Sequence, residues 1–294
     1  MFSVGDLYKR LKQFKLSHAA DGGRFYFAKV DVQAAFDTIP QEAMIKLLET
    51  IPSHDRYKLA KHVEIFPNGY WNTGQMQTAN FKMNRKWQSV AKPVGEDPSF
   101  SQKMSELARD KTNTIFLDNA AEKAYSMPDL LKLMKSHIQQ NFIKVGKKFF
   151  RQKDGIPQGS VLSSILCNYF YADLERHHLA FLNSDDSLLL RLIDDFLLIS
   201  LDKSKATRFV QTLHRGLPDY GVVVNPTKSL VNFDLICDGV AVPKVPSAEG
   251  FPYCGTYVDC HTLALSKDRR RIGSCKFPWC QGVEKAIVNT TSVV

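Results

Sequence analysis

The stretch LLLRLIDDFLLIS, residues 188–200, places two adjacent aspartates between two apolar runs. The runs predict two buried strands of a hairpin that join at Asp194 and Asp195. Hairpin turns usually contain Asn-Gly or Asp-Gly, because both central residues need positive φ. Two adjacent carboxylates repel each other, which raises the pKa of one unless a cation compensates. The pair therefore indicates a divalent cation site, for which Mg²⁺ is suited, and an ordinary turn is the alternative.

A third carboxylate lies near the end of RFYFAKVDV, residues 24–32, which is apolar on both faces and predicts a buried central strand. There an uncompensated Asp31 would cost several kcal/mol. If this strand lies beside the hairpin, three carboxylates meet at one sheet edge, as in sites that hold two metal ions about 3.5–4 Å apart. Such a site suits in-line displacement at a phosphate. Asp37 is instead interpreted as capping the next helix, because Asp favours that position.

Composition sets wider limits on the function. A net charge of +9 favours a polyanionic partner, nucleic acid first, with solubility alone as the alternative. The six cysteines include no C-x-x-C pair, which argues against a zinc knuckle. The chain start has no apolar signal segment, and charges interrupt the longest apolar run, so we expect no membrane span and a reducing, intracellular setting.

The order of the elements indicates the fold class. The apolar strand at 24–32 is followed by a helix over QEAMIKLLETI, and later by a long helix over VLSSILCNYFYADLERHHLAFL. The aspartate hairpin, the helix KSKATRFVQTLHRGL and the strands GVVVN and KSLVNF come next. This pattern predicts an α/β (α+β) fold, with an antiparallel sheet of split βαβ, ferredoxin-like type packed on helices. NFIKVGKKFFRQ predicts a hairpin that turns at Gly146-Lys147, with Lys and Arg along it.

Five blocks, in order, resemble the telomerase reverse transcriptase family. They are FYFAKVDVQAAFDTIPQ, DGIPQGSVLSSILCNYFYADLE, LLRLIDDFLLIS, YGVVVNPTKSLVNF and FPYCGTYVDCHTL. A long insertion between the first two is also typical of the family, and VDVQAAFDTIPQ resembles its fungal branch. The resemblance implies a polymerase palm and an RNA-directed DNA polymerase that extends chromosome 3′ ends by two-metal nucleotidyl transfer.

The resemblance also implies roles for individual residues. Two Mg²⁺ ions would be held by Asp31, Asp194 and Asp195 with the Val32 carbonyl. Lys228 would act near the pyrophosphate, and Phe36 would reject a 2′-hydroxyl. The remaining expected contacts are Gln158, Gly159 and Ser160 with nucleotide and template, Ile193 with the primer end, and Cys254 and Gly255 as primer grip.

The same resemblance divides the chain into segments. We expect a lead-in helix at 1–23, the first palm part at 24–51 and an inserted fingers subdomain at 52–127. The second palm part would cover 128–240, the primer grip 241–271 and an atypical tail 272–294. Family members also have a long N-terminal part and a helical thumb that do not match here, so we expect a truncated fragment that is weak as a processive enzyme.

The implied partners are telomerase RNA, telomeric single-stranded DNA and deoxynucleoside triphosphates, with no membrane. The implied location is the nucleus, at chromosome telomeres. Two alternatives remain open: another cellular or mobile-element reverse transcriptase, and a non-catalytic nucleic-acid-binding fragment.

Overall fold

The computed structural model describes residues 4–18, 24–67, 83–95, 100–109, 111, 113–118, 123–246 and 250–268. Its helices are α1 Val4–Ser17, α2 Ala35–Thr38, α3 Gln41–Thr50, α4 Phe100–Leu107, α5 Met127–Gln139, α6 Ser163–His178 and α7 Lys203–His214. Its strands are β1 Tyr26–Asp31, β2 Arg56–Pro67, β3 Met83–Pro93, β4 Ile115–Asp118, β5 Lys123–Ser126, β6 Phe142–Val145, β7 Lys148–Arg151, β8 Ser187–Leu192, β9 Asp195–Ser200, β10 Leu230–Val231, β11 Ile236–Cys237, β12 Val240–Ala241, β13 Phe251–Tyr253, β14 Thr256–Val258 and β15 Leu265–Lys267.

The chain divides into two compact units. The first contains Met1–Met44 with Phe142–Val294, and the second contains Ile45–Asn141. In the first unit, a four-stranded sheet has the order β10-β1-β9-β8, and every neighbouring pair is antiparallel. The strand predicted from RFYFAKVDV is therefore central, as expected from its apolar residues on both faces.

The aspartate hairpin forms, but its turn differs by one residue from the prediction. Leu192 pairs with Asp195, and Asp195 is the first residue of β9. The turn residues are thus Ile193 and Asp194, not the two aspartates. The sequence could not fix this register, because apolar residues fill both faces of both strands.

One face of this sheet carries a contiguous apolar cluster. Phe27, Leu197 and Ile199 pack there with residues of α1 and of the three-stranded sheet β13-β14-β15. The buried members from those elements are Leu7, Leu11, Phe14, Phe251, Tyr253 and Val258. On the other face α7 packs against β1 and β9, and the Tyr171 ring of α6 meets Phe196 edge-on at 5.8 Å. Both faces are therefore covered, one by α1 and the three-stranded sheet and the other by α6 and α7.

Several predicted elements are shorter than expected. GVVVN forms no strand, because Val222 and Val224 make only isolated bridges, to Leu217 and Val32. KSLVNF contributes only the two residues of β10. The long predicted helix is α6, followed by a short 3-10 turn at Ala180–Leu182. The predicted hairpin at Gly146-Lys147 is present as β6-β7, with Gly146 at φ 63°.

The second unit is built on β2, which pairs with β3, β4 and β5. Its described apolar core is small and comprises Ile45, Leu48, Val63 and Ile138. Glu64 is buried in this unit and pairs with Lys111. That ion pair holds the pKa of the Glu64 carboxyl below its usual range.

Some sequence predictions fall on residues outside the described ranges. These are residues 1–3 and 19–23 of the lead-in segment, parts of the inserted subdomain at 52–127 and the whole atypical tail at 272–294. Within the described part of the chain, no helix combines the length and apolarity that crossing a membrane requires.

Candidate active site

Three aspartates come together at one edge of the central sheet. Asp31 ends β1 and lies directly opposite Asp195, the first residue of β9. The amide of Val32 donates to the carbonyl of Asp194 at 3.1 Å. Cα atoms of directly paired residues in antiparallel strands lie about 4.5–5.5 Å apart, with their side chains on the same face. The predicted convergence of the first carboxylate with the doublet is thus present in the backbone register.

Burial and like charge act on these carboxyls. Burial, first, and repulsion by Asp31 raise the pKa of Asp194 above its ordinary value. Burial also raises the pKa of Asp195, against the opposing effect of Lys29. Both shifts indicate that negative charge is poorly solvated here, so the site favours an added cation.

Two lysines already supply positive charge. Lys29 Nζ lies 3.1 Å from Asp195 Oδ2, and Lys228 Nζ lies 3.4 Å from Asp31 Oδ2. Lys228 ends a 3-10 turn at Pro226–Lys228 whose preceding residue, Asn225, accepts a hydrogen bond from the Thr227 amide. The structure therefore brings Lys228 to the carboxylates, and its expected role near the pyrophosphate stays a prediction.

The fit of a metal ion can be tested on these carboxylates. Within the described residues, no group of three or more His, Cys, Asp or Glu side chains is arranged to hold a metal. The predicted ligands Asp31, Val32, Asp194 and Asp195 therefore stay a prediction. One observation fits it: Asp195 Oδ1 is buried and accepts no hydrogen bond from the residues that the structure describes. Such an orphaned oxygen is costly, and a cation would offset that cost.

The turn that carries Asp194 is strained and anchored. Ile193 has φ 58°, a left-handed conformation that is rare for a β-branched residue and costs of the order of 1–3 kcal/mol. Arg191 donates to the Ile193 carbonyl at 3.2 Å and to Asn168 Oδ1 of α6 at 2.7 Å. Its guanidinium also lies 5.7 Å from the centre of the Phe196 ring. These contacts fasten the turn to α6.

Phe36 lies in a segment confined by two glycine backbones. A Cβ on Gly155 would lie 2.4 Å from the Phe36 carbonyl oxygen, and a Cβ on Gly221 would lie 1.9 Å from the Thr38 carbonyl oxygen. Both glycines have positive φ, 77° and 60°. The Ile156 amide also donates to the Phe36 carbonyl at 2.7 Å. The loop 155–160 thus fixes the position of the half-buried Phe36.

Gln158 reaches the same segment through its side chain. Its amide donates to both carboxylate oxygens of Asp37, at 2.9 and 3.0 Å. Asp37 lies inside α2 rather than before a helix, so the capping role predicted for it is wrong. Gly159 has φ 78°, and a Cβ added there would meet no atom within 4 Å, while the Ser160 hydroxyl accepts from the Leu162 amide at 3.2 Å. The loop is therefore tied to Asp37 and leads into α6.

Cys254 and Gly255 form the turn between β13 and β14. Both have positive φ, 48° and 76°, which a two-residue hairpin turn requires. The preceding Tyr253 donates its hydroxyl to the carbonyl of Asp195 at 3.0 Å. Burial, first, and Asp195 raise the pKa of the Cys254 thiol to about 11. The predicted primer-grip turn is thus tied to β9, and the Cys254 thiol is neutral at pH 7.

Sequence reasoning missed Lys29, Arg191 and Tyr253. Lys29 stands two residues before Asp31, which places both side chains on one face of β1. This spacing could have revealed it. Arg191 is a charged residue inside an apolar run, and a charged side chain that is buried in this way is normally paired. Tyr253 carried no comparable signal.

Comparisons with known proteins place this geometry in a family. The family model described as "Reverse transcriptase (RNA-dependent DNA polymerase)" matches residues 85–257, which include Asp194 and Asp195 but not Asp31. The telomerase reverse transcriptase of Bos taurus is 27% identical over 91% of this chain and 24% of its own length. That of Rattus norvegicus is 28% identical over 97% of this chain and 26% of its own length.

A solved structure shares the fold. Telomerase from Candida albicans, solved with a TWJ fragment of telomeric RNA, aligns with a TM-score of 0.58 and 21% identity. The alignment covers 91% of this chain and 35% of that one.

The family model covers more than half of the chain. The chain belongs to the reverse transcriptase family. Within that family, its similarity is to telomerase reverse transcriptases. The chain spans about a quarter of the length of these curated relatives.

Proposed function

We propose that this chain carries the palm of a telomerase-type RNA-directed DNA polymerase, which extends chromosome 3′ ends from an RNA template. The observation that supports this most directly is the pairing of Asp31 with Asp195 beside Asp194. The order β10-β1-β9-β8 with α6 and α7 as connections supports a split βαβ, ferredoxin-like palm. The unit Ile45–Asn141 supports an inserted fingers subdomain, for which 52–127 remains the proposed range.

Two Mg²⁺ ions would be held by the carboxylates of Asp31, Asp194 and Asp195 with the Val32 carbonyl. When bound, such ions lower the pKa of an attacking hydroxyl and neutralise charge on a transferring phosphate. Such ions would give the buried Asp195 Oδ1 a partner and would stabilise the charged form of Asp194, whose pKa is raised without them. Lys29 would keep Asp195 oriented through its contact with Oδ2.

The other side chains bind and orient the reactants. Phe36, held by the loop at 155–160, would exclude the 2′-hydroxyl of a ribonucleotide. Lys228, more than half exposed beside Asp31, would give charge or a proton to the departing pyrophosphate. Ile193, Cys254 and Gly255 would position the primer end. Gln158, Gly159 and Ser160 would contact the nucleotide and template.

The proposed partners belong to the same activity. They are telomerase RNA, telomeric single-stranded DNA and deoxynucleoside triphosphates, and the proposed location is the nucleus, at telomeres. The similarity to a telomerase solved with a telomeric RNA fragment supports the RNA partner.

Primer extension tests the proposal. The chain, with an RNA template annealed to a DNA primer and Mg²⁺, is compared with Asp31→Asn and Asp194→Asn, and with Asp234→Asn at a carboxylate paired with Lys244 away from the site. We expect the first two changes to lower the rate at least about a hundredfold, because each removes a main electrostatic contact with the transition state.

A second readout separates metal binding from catalysis. Mn²⁺ titration followed by electron paramagnetic resonance should show binding to the wild type and to Asp234→Asn, and weaker binding to the other two variants. Equal extension and equal Mn²⁺ binding by all four proteins would end the metal-site proposal. Repeat synthesis from one bound RNA, rather than copying of any RNA, would distinguish a telomerase from other reverse transcriptases.

A further inference from the structure

The β6-β7 hairpin projects an unusual set of side chains to solvent. Phe142, Phe149 and Phe150 are 66%, 70% and 51% exposed. Isolated exposed apolar residues are common, but three exposed phenylalanines within the nine residues 142–150 are unusual, and such a concentration marks a candidate interaction site.

Positive charge accompanies these rings. Residues 142–153 contain five basic side chains and no acidic one. The basic residues are Lys144, Lys147, Lys148, Arg151 and Lys153. A local excess of charge of one sign is complementary to a polyanion and repels a basic or purely apolar partner.

The hairpin register sorts the side chains onto two faces. Phe142 pairs with Arg151, and Lys144 pairs with Phe149. Because directly opposed residues share a face and alternate residues return to it, these four side chains lie on one face. The Lys144 ammonium lies 5.7 Å from the centre of the Phe149 ring, as this arrangement requires. On this face, rings and cations therefore alternate diagonally.

The opposite face differs in composition. Ile143 and Phe150 are paired there and are 45% and 51% exposed. This face carries one ring, that of Phe150, and one cation, that of Lys148, whereas the first face carries two rings and two cations. The two faces thus offer a matched comparison within one hairpin.

We infer that the face formed by Phe142, Lys144, Phe149 and Arg151 binds a single-stranded nucleic acid, with bases stacked on the rings and phosphates held by the cations. Single-strand binding surfaces combine these two features, because every base has a π-face and every nucleotide has a phosphate. A duplex buries its bases in the stack and would leave the two rings without partners.

The hairpin also lies close to the candidate active site. Arg151 lies five positions before Ile156, whose amide donates to the Phe36 carbonyl. At about 3.6 Å per residue, the end of β7 is at most about 18 Å from that contact. The inference deepens the proposed function and rests on it in one respect: the bound strand would be the template or primer that enters or leaves the site.

The experiment measures binding of the 294-residue chain to fluorescein-labelled 12-mers by anisotropy, with EDTA present so that catalysis plays no part. The probes are mixed-sequence DNA, the same sequence as RNA, and the DNA as a duplex. The DNA and RNA arms distinguish a primer from a template as the strand held. We expect the duplex to bind more weakly than either single strand.

Variants then separate stacking from charge. Phe149→Ala should weaken single-strand binding about 5- to 150-fold, the range seen on loss of one stacked base. It should leave the salt dependence unchanged, whereas Lys144→Gln should lower the slope of log K against log [salt] by about 0.7. Phe150→Ala is the matched control, since it removes a ring that is 51% exposed on the opposite face, and it should retain wild-type affinity. All three positions are on the surface, and circular dichroism checks that the variants fold.

Several results would overturn the inference. They are a duplex bound as tightly as the single strands, Phe149→Ala with unchanged affinity, or Phe150→Ala with an equal loss. Each is read without polymerase activity, so failure of the proposed function, seen as absent extension, is distinguishable from failure of this inference.

Discussion

At the residue scale, the position of Phe36 depends on the backbone around it. The segment is held by the Ile156 amide and by the close approach of Gly155. Phe36 itself is half-buried, so part of the residue stays accessible while its backbone is held. This is the condition for a side chain that excludes one hydroxyl by contact.

We expect Phe36→Ala to admit ribonucleotides, because the atoms that would meet the 2′-hydroxyl are removed. The measurement is the ratio of kcat/KM for a deoxynucleotide and its ribonucleotide, which should fall by at least about tenfold, the lower range for one contact in a pocket. Phe36→Tyr, which keeps the ring, is the control. Unchanged sugar discrimination in the alanine variant would reject the assignment.

Gly155→Ala should be strongly destabilising. The new Cβ would overlap the Phe36 carbonyl oxygen and would sit at positive φ. Left-handed strain of about 1–2 kcal/mol and overpacking of about 1–3 kcal/mol add to roughly 3 kcal/mol. Gly159→Ala has the same φ strain but open space, so it should cost only about 1 kcal/mol. Urea unfolding measures both, and similar losses would contradict the close approach.

At the element scale, Arg191 joins the β8-β9 hairpin to α6. It contacts Asn168, the Ile193 carbonyl and Glu175, and its guanidinium carbon lies 5.7 Å from the centre of the Phe196 ring. A lysine cannot reproduce this planar, several-donor geometry. The anchor therefore depends on the guanidinium and not on charge alone.

Arg191→Lys should lower stability by about 2 kcal/mol, because Asn168 and the Ile193 carbonyl lose donors in a partly buried place. It should also lower kcat, because the turn carries Asp194. Arg176→Lys is the control, since Arg176 pairs with Asp173 while 71% exposed and should change stability by less than about 0.5 kcal/mol. Thermal unfolding and primer extension are the measurements, and equal effects of the two changes would refute the anchor.

The start of β8 is tied to α7 by the Lys205 and Asp186 ion pair, with Nζ 2.7 Å from Oδ1. Hydrogen bonds from Lys205, first, and Ser184 hold the pKa of Asp186 below its usual range. A carboxyl with a lowered folded-state pKa contributes stability above its unfolded-state pKa, and this is lost as pH falls through the lowered value.

Lys205→Met should therefore destabilise the protein at pH 7 by about 0.5–1 kcal/mol, a value already reduced for partial exposure. The difference from wild type should shrink below about pH 4, as Asp186 is protonated in the unfolded chain. Urea unfolding at pH 7, 5 and 3 measures this, with Lys12→Met on the exposed face of α1 as control. A loss that stays constant with pH would contradict the ion-pair origin.

At the scale of the whole molecule, the two units differ in how much they bury. In β9, the five residues from Phe196 to Ser200 are buried, whereas β3 has no buried residue. Local stability follows buried contacts and the protection of backbone hydrogen bonds.

Hydrogen exchange followed by mass spectrometry should show this difference. Amides of β1 and β9 should remain protected much longer than those of β2 and β3. The reason is that opening of the second unit releases a much smaller apolar core. Equal protection in the two units would show that they open together.

The sequence predicted those parts of the molecule that depend on local patterns. β1, α6, α7 and the aspartate hairpin were evident from apolar runs and their periods. The turn register was not, because a strand that is apolar on both faces carries no alternation to fix it. GVVVN has strand-forming residues, but tertiary contacts leave it with only isolated bridges.

The candidate site shows the same division. The aspartates could be predicted as site residues because adjacent carboxylates in apolar surroundings need a compensating positive charge. The contacts of Asp195 with Lys29 and Tyr253 could not be predicted, because these residues are far apart in the sequence and come together only in the folded chain. Asp37 was misassigned because its partner, Gln158, is 121 positions away.

The short helix with Phe36 lies between Gly155 and Gly221, whose missing side chains leave room for two carbonyls. A side chain at either glycine would displace the peptide groups of the helix that carries Phe36. Discrimination between deoxyribose and ribose would thus depend on the lack of side chains at Gly155 and Gly221 as much as on the Phe36 ring. Under selection for incorporation of ribonucleotides, substitutions should therefore appear at Phe36, where they leave the backbone unchanged, before they appear at Gly155 or Gly221.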